Sequence, residues 1–551
     1  MIQKSHSLLI IERIYLLFNR QVSSQFAMEE MHARLLKDNF YLNFRLKTDS
    51  LLETLRVNHD NSQDSILTAN ISRKDISLAA KQKLILRTIN SLSFKKAIVF
   101  SKAFNTSIWF PINREMQDQF SQLGLQFNRP MCSLLLALFK ILSTIKSFKK
   151  LLDHEIGGVR LRLLSTKTLG DSSKIQSNIF LYGFDKSTFP SLTYKSHNFF
   201  DWLLLKINKD SHLIHNCTEF KNSKQMWPQI QFQYTVVPHI TFSKRLVSYL
   251  SLVILIARYL FNPQLKVLDM LSQIDEVIVV LQLSKSAKTW NYDYVIFPST
   301  VLIAQPLWSI FLERSGSKVV LVNYTAMAEP LSPNLTRVVD GIWHLSTWKD
   351  TWVVDEQQAS QMKLTSKYWS ENYSCVGVPY WSGRVLDQIP YTQRGFIAVF
   401  DTHIRTNQVF SAGVVDEMGW NDPKLEEAFI ELVLQAATRL NLVVLHKKKR
   451  KVPESQLAIQ DRITHRLKAE YGEHYQAIDE SFSAVSLVAL SVAVVSKPIS
   501  TTAFIATEMG KLSIVLDPTM NTQSNDPGLR DCKLVYTIDQ LFQTIDGFLD
   551  G

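Results

Sequence analysis

The chain has 551 residues, of which 46% are hydrophobic and 20% charged, and its formal net charge is +11. That length exceeds what one core usually serves, so two or three domains are expected, and the balance excludes collagen-like and low-complexity classes. The basic excess favours an anionic partner, whether nucleic acid, acidic lipid headgroups or a phosphorylated small molecule, without choosing among them. The four cysteines, Cys132, Cys217, Cys375 and Cys532, form no Cys-x-x-Cys pair. Neither a disulfide framework nor a zinc site is expected, and the compartment reads as reducing.

The first residues, "MIQKSHSLLIIERIYLLFNR", combine a basic start with an apolar stretch, but Glu12 and Arg13 interrupt it. They read as an amphipathic helix rather than a signal peptide. Residues 1–165 are rich in Leu, Lys and Gln with few turn signals, which predicts a helical accessory region. The stretch "LVSYLSLVILIARYLF" at 246–261 is interrupted by Arg258 and shorter than the roughly 20 residues a membrane span needs. It reads as a buried core helix, with a helix lying on a membrane face, helped by Lys244, Arg245 and Arg258, as the alternative. From about residue 175, strand-like runs at 178–183, 292–299, 318–325, 340–347 and 374–379 alternate with helical segments at 300–317 and 355–363. Such alternation predicts a parallel sheet covered on both faces.

Proline and small residues at 380–394 suggest a linker, giving segments 1–165, 166–385 and 386–551. A second alternation follows. "GFIAVFDTHIR" (395–405) is a strand and loop, Asp422-Pro423 is a helix start, and Leu425, Phe429, Leu432, Ala436 and Leu440 give one buried face. "NLVVLHKKKRK" is a strand with a basic end. In "VVSKPISTTAFIATEMGKLSIVLDP" a strand runs into Lys497-Pro498 and three hydroxyls at Ser500, Thr501 and Thr502. A helix then ends at Gly510, and a last strand closes at Asp517-Pro518. Ligands of open parallel sheets collect where strands end and helices begin, and a helix start attracts anions. The hydroxyls, with Lys447, Lys449 or Arg450 from the preceding strand end, therefore suggest a phosphate site. A plain helix cap and a solvated basic run remain the bland alternatives.

The same stretch resembles the signature of bacterial polysaccharide-biosynthesis proteins named for a Pro-Phe-Thr-Ser motif. Here it stands as Pro498, Ile499, Ser500, Thr501, Thr502 and Ala503, with Gly510-Lys511 and Asp517-Pro518 in place. "LHKKKRK" is similar to that family's Lys-x-Lys-Arg element, and "WKDTWVVDEQQASQMK" with "SCVGVPYWSG" is similar to its middle region. The resemblance covers roughly residues 290–551. Ile499 departs from the family's aromatic, and Ser500-Thr501 reverses its Thr-Ser order.

The resemblance implies an α/β, GT-B-like fold: two Rossmann-like domains facing a cleft, behind a mainly helical N-terminal region. It implies a glycosyltransferase of bacterial surface polysaccharide or lipopolysaccharide biosynthesis, metal-independent and without cofactor. Its partners would be a nucleotide-sugar donor and a glycan or lipid-linked acceptor, at a cytoplasmic location peripheral to the inner membrane. On this reading Ser500, Thr501, Thr502, Lys447, Lys449 and Arg450 hold the donor phosphate, while His446, Pro498 and Glu508 contact the donor. Asp401 and His403 position donor or acceptor or act as acid and base. A phospho-polyol transferase and a non-enzymatic anion- or nucleic-acid-binding protein are the competing readings. No helix-turn-helix or aromatic RNA-binding signature supports nucleic acid.

Overall fold

The computed structural model describes residues 71–164, 178–184, 212–215, 230–232, 242–260, 267–286, 292–298, 304–323, 346–366, 371–377, 395–401, 423–447, 454–478, 484–497 and 500–550, apart from a few positions inside these ranges and with some isolated positions beyond them. The amphipathic segment at 1–20 and the linker at 380–394 lie outside the described residues.

A short antiparallel pair, β1 (Ile66–Thr68) and β2 (Ile71–Ser72), precedes four helices: α1 (Arg73–Ile89), α2 (Leu92–Phe104), α3 (Arg114–Ser121) and α4 (Arg129–Leu164). Local chemistry sets their ends. Ser91 accepts from the Phe94 amide and Asn113 from the Met116 amide, while Asn105 closes α2 in the left-handed region at φ 49°. These helices enclose an aromatic core in which Phe44 lies 4.6 Å from Phe120 and Phe94 lies 4.8 Å from Phe110, centroid to centroid.

The first α/β half contains β3 (Asn178–Leu181), β4 (His212–His215), β5 (Ile230–Phe232), α5 (Phe242–Leu260), α6 (Val267–Leu271) and α7 (Ile274–Lys285). It continues with β6 (Tyr294–Pro298), α8 (Leu307–Arg314), β7 (Lys318–Val322), β8 (Asp350–Val353), α9 (Glu356–Ser366) and β9 (Asn372–Cys375). Its strands lie in the order β5-β4-β3-β6-β7-β8-β9, all parallel. The N-terminal helices are fixed to this half by Arg314, which donates to both Asp75 oxygens at 2.7 and 3.0 Å, and by Lys140, 2.6 Å from Asp269.

The second half contains β10 (Phe396–Phe400), α10 (Pro423–Arg439), β11 (Val443–Lys447), α11 (Glu454–Tyr471), β12 (Tyr475–Ile478) and α12 (Ala484–Leu490). Then come β13 (Ala493–Ser496), α13 (Thr501–Glu508), β14 (Leu512–Leu516), β15 (Lys533–Val535) and α14 (Ile538–Asp550). The order β12-β11-β10-β13-β14-β15 is again fully parallel. Every residue of β10, β11, β13 and β14 is buried, which is why these strands read as continuous apolar runs. Gly395 makes that closeness possible. A Cβ there would stand 3.0 Å from Val492 Cγ2 and 3.2 Å from Leu442 Cδ2.

In both sheets the first three strands run outward one way and the later ones the other, the doubly wound Rossmann order. Two such sheets in series behind a helical N-terminal region form the expected α/β, GT-B-like architecture.

Three local expectations need correction. The strand expected at 340–347 falls later, at Asp350–Val353, where the backbone pairs with β7 and β9. Residues 346–348 are irregular, with Trp348 buried 4.7 Å from the Phe297 ring, and 340–345 lie outside the described residues. Helix α5 is not wholly a core helix, since one of its faces is exposed. The buried face of α10 is also rotated: Glu426, Phe429, Ile430, Val433, Leu434, Ala436 and Ala437 point inward, with Leu425, Leu432 and Leu440 at the edge. That rotation turns a carboxylate into the protein.

Candidate functional site

The strand order of the second sheet reverses between β10 and β13. The ends of these two strands make a topological switch point, the place where open α/β sheets bind ligands. Asp401 immediately follows β10 and Lys497 immediately follows β13. His446 and Lys447 end the neighbouring β11.

Beneath this edge lies a closed charge network. Asp401 Oδ2 is 3.0 Å from His446 Nε2, and His446 Nδ1 is 3.1 Å from the Tyr475 hydroxyl. On the other side of His446, Glu426 Oε1 is 4.0 Å from Nε2, and Glu426 Oε2 is 3.0 Å from Lys497 Nζ. Lys497 Nζ also stands 5.4 Å from the centre of the Phe429 ring. All of these charged side chains are buried: Glu426 and His446 are 0% exposed and Lys497 is 2% exposed. With His446 protonated, two cations balance two carboxylates, the condition under which buried charges persist. The Lys497–Glu426 pair is close yet poorly aligned, so Nζ and both Glu426 oxygens lack a directed hydrogen bond.

Burial pushes the Glu426 carboxyl above its ordinary range, Lys497 pulls it back, and Asp401 pushes it up again. For His446, burial depresses basicity, but Tyr475, Asp401 and Glu426 outweigh it and raise the pKa to about 10. A group whose folded pKa is raised stabilises the fold fully below its unfolded value and loses that contribution as pH rises through the folded one. The contribution of His446 is therefore expected to be complete below about pH 6.5 and lost on the way to about pH 10. Unfolding free energy measured over this interval should fall more steeply for the wild type than for His446→Gln.

Asp401, Glu426 and His446 present ligand atoms within 4.8 Å of one another, a spacing open to a divalent cation. Lys497 already supplies a cation against Glu426, and the Asp401 carboxylate is engaged by His446. The residues fit an internal salt network better than a metal centre.

Above the network, Ser500 caps α13 with extended backbone (φ −130°, ψ 163°); its carbonyl accepts from the Ala503 amide at 3.0 Å, but its hydroxyl accepts no amide hydrogen from the first turn. Its hydroxyl is instead 2.7 Å from the Thr502 hydroxyl. The first turn contains no acidic residue, and Ala503, Phe504, Ile505 and Ala506 anchor the helix in the core. Gly510, in the left-handed region at φ 67°, ends it. The following turn is held by Asp517, whose carboxylate accepts from the Thr522 amide at 2.7 Å and the Thr519 amide at 3.0 Å.

The carboxyl end of β8 in the first half packs against this helix. Val354 joins Ala503, Phe504, Val515, Leu529 and Cys532 in one apolar cluster. Arg530 Nε is 2.6 Å from Asp355 Oδ2, its Nη2 donates to Asp355 Oδ1 at 2.8 Å, and its guanidinium lies 3.7 Å above the Phe504 ring. The two halves thus meet beside α13.

The structure brings Asp401, His446, Lys447 and the hydroxyls of 500–502 to one edge of the second sheet. It differs from the sequence reading in how they are presented. Asp401 is 7% exposed and pairs with His446, and His446 is wholly enclosed, so neither lines an open surface as a catalytic pair or donor contact would. Lys447 is buried as well. Glu508 is exposed in the last turn of α13, about 12 Å along the helix axis from Ser500 and so apart from the hydroxyls of 500–502. His403, Lys449, Arg450 and Pro498 lie outside the described residues. Sequence reasoning left Lys497, Glu426, Tyr475, Arg530 and Asp355 unassigned. The signal for Lys497 was its place beside the hydroxyls, while Glu426 was hidden by the misphased helix face.

Against known families, residues 255–545 match the model described as polysaccharide biosynthesis PFTS motif protein. No curated protein matches the chain. Among solved structures, a glycosyltransferase from Rickettsia africae is 11% identical, covering 68% of this chain and 88% of that one, with a TM-score of 0.36. The UDP-GlcNAc 2-epimerase of Methanocaldococcus jannaschii is 10% identical, covering 68% and 92%, with a TM-score of 0.37. Anabaena Alr3699/HepE, in complex with UDP and glucose, is 9% identical, covering 68% and 90%, with a TM-score of 0.36. These similarities are too low to carry a functional argument.

Proposed function

The chain belongs to the polysaccharide biosynthesis PFTS motif family, and on that premise we propose that it is a glycosyltransferase that binds a nucleotide-sugar donor at the start of α13 and transfers the sugar to a glycan or lipid-linked acceptor in bacterial surface polysaccharide or lipopolysaccharide assembly. One observation carries the reading. Ser500, Thr501 and Thr502 begin a helix at the switch point of a doubly wound sheet, and Ser500 does not use its hydroxyl to cap that helix.

In this mechanism the helix start, its amides and its hydroxyls receive the donor phosphates, and the dipole offsets charge that builds on the leaving nucleotide. Lys447 adds positive charge at the same sheet edge, and the sequence continues with Lys449 and Arg450. The buried network has a positioning role. By clamping the ends of β10, β11 and β13 to α10, it fixes where the 500–502 segment begins. The acceptor would approach from the first half, whose β8 end already packs against α13.

The test is release of nucleotide from UDP-, GDP-, CDP- and CMP-linked sugars incubated with the purified chain, with and without a chelator. Release from one donor class, unchanged by EDTA, is the expected result. Release from none by folded protein would contradict the proposal, and release abolished by EDTA would contradict its metal-independent form.

A further inference from the structure

Helices α4 and α5 each carry one face in the core and one face outside it. On α4, Cys132, Leu135, Phe139, Ser143, Ser147 and Leu151 are buried, while Leu134, Leu138, Ile141, Ile145, Phe148 and Leu152 are 41% to 61% exposed. Spacing of four and three residues keeps the exposed set on a single stripe. On α5, Ser248, Leu252 and Leu255 are buried, while Leu246, Val247, Leu250, Val253, Ile254 and Leu260 are 43% to 63% exposed. Both helices pack on α7, and Leu151, Leu252 and Leu255 enter the same core cluster as its side chains. The two apolar stripes thus belong to the helical layer that covers α7. Exposed apolar surface of this extent marks an interaction site.

Charge identifies the occupant. Neither 129–152 nor 242–260 contains an aspartate or glutamate, whereas they carry Arg129, Lys140, Lys146, Lys149 and Lys150, and Lys244, Arg245 and Arg258. Lys149, Lys150 and Arg258 are exposed beside the stripes. A second copy of the chain would bring basic residues against basic residues, while an acidic lipid surface complements both the apolar stripes and their rim. Residues 129–152 are long and apolar enough to cross a membrane, with a mean hydropathy of 1.6. Yet one face of this segment is fixed in the core, and Lys140 is paired with Asp269 at 2.6 Å, so the helix lies along a surface rather than through it.

We infer that the α4–α5 face is a docking surface for a membrane rich in anionic headgroups. This holds independently of the reaction catalysed.

Vesicle flotation of the full chain tests it, using phosphatidylglycerol–phosphatidylcholine vesicles, phosphatidylcholine vesicles alone, and two variants. Ile145→Ser/Leu250→Ser/Ile254→Ser removes exposed apolar groups, and Lys149→Glu/Arg258→Glu reverses the rim charge without touching the core. The wild type should partition onto the anionic vesicles about tenfold more strongly than onto the neutral ones. Each variant, with an unchanged circular dichroism spectrum, should lose about tenfold or more of that binding. Equal partition onto both vesicle types, or variants that float as well as the wild type, would overturn the inference. So would a wild-type dimer in sedimentation velocity that the serine variant dissociates, since the face would then serve self-association.

Discussion

Replacing Lys497 with alanine is expected to cost about 3–5 kcal/mol of stability, because it leaves the Glu426 carboxylate buried without its nearest cation. Glu426 is 0% exposed and has no directed hydrogen bond to fall back on. Its second neighbour, His446, stands 4.0 Å away and is already engaged by Asp401 and Tyr475. Removing both charges should be far milder. Lys497→Met/Glu426→Gln keeps volume and eliminates the ion pair together with its desolvation cost, so most of the loss is expected to return. Hydrogen exchange of the β10, β11 and β13 amides reads the effect directly in a multidomain chain where a single melting temperature is ill-defined. A Lys497→Ala protein with unaltered protection in these strands would show that the network does not hold the sheet edge.

Arg530→Ala is the second large effect, about 2–4 kcal/mol, and it falls between the two halves. The arginine side chain is 10% exposed, donates from Nη2 to Asp355 of the first half with Nε in ion-pair contact beside it, and covers the Phe504 ring of α13. Truncation leaves Asp355 with its bond from the Gln358 amide and uncovers one face of Phe504. Arg530→Lys should not restore the loss, since an ammonium offers neither the planar group that meets both Asp355 oxygens nor the stack on Phe504. Hydrogen exchange is expected to speed up in α13 and around β8 and α9 while β10 to β12 stay protected. Unchanged exchange in α13 would mean that the apolar cluster around Val354 holds the halves together alone.

The architecture was legible because parallel strands buried on both faces leave continuous Val, Ile and Leu runs, as in "FIAVF" and "LSIVL". Strands whose composition lacks that signature were missed. β12 is "YQAI", β15 is "KLV", and β4 and β5 are three or four residues long, so each owes its place to pairing with a stronger neighbour. The helix start at Pro423 followed from proline's fit to a first helical position, and the end of α13 at Gly510 from glycine's ease at positive φ.

The candidate site was legible only in part. Ser500, Thr501 and Thr502 announced themselves through local spacing, but the partners beneath them come from β10, α10, β11 and β12, far apart in sequence. Leu425, Phe429 and Leu432 looked like the inward face of α10, and only packing against the sheet turned Glu426 inward instead. Asp401 reads as a positioning or acid/base group and His446 as a donor contact, while the fold closes them into a pair. Periodicity says which residues share a face. It does not say how that face is rotated against the sheet when a charged partner waits inside.

If the start of α13 holds the donor phosphates as proposed, calorimetric titration of UDP, GDP, CDP and CMP into the wild type and Ser500→Ala/Thr502→Ala will separate the two proteins. The two hydroxyls bond each other and not the first-turn amides, so their loss should change stability by no more than about 0.5 kcal/mol. One nucleotide should bind the wild type and bind the variant about ten to thirtyfold more weakly, the loss of two modest hydrogen bonds. A variant that binds the same nucleotide as tightly as the wild type, or a folded wild type that binds none of the four, would contradict the account.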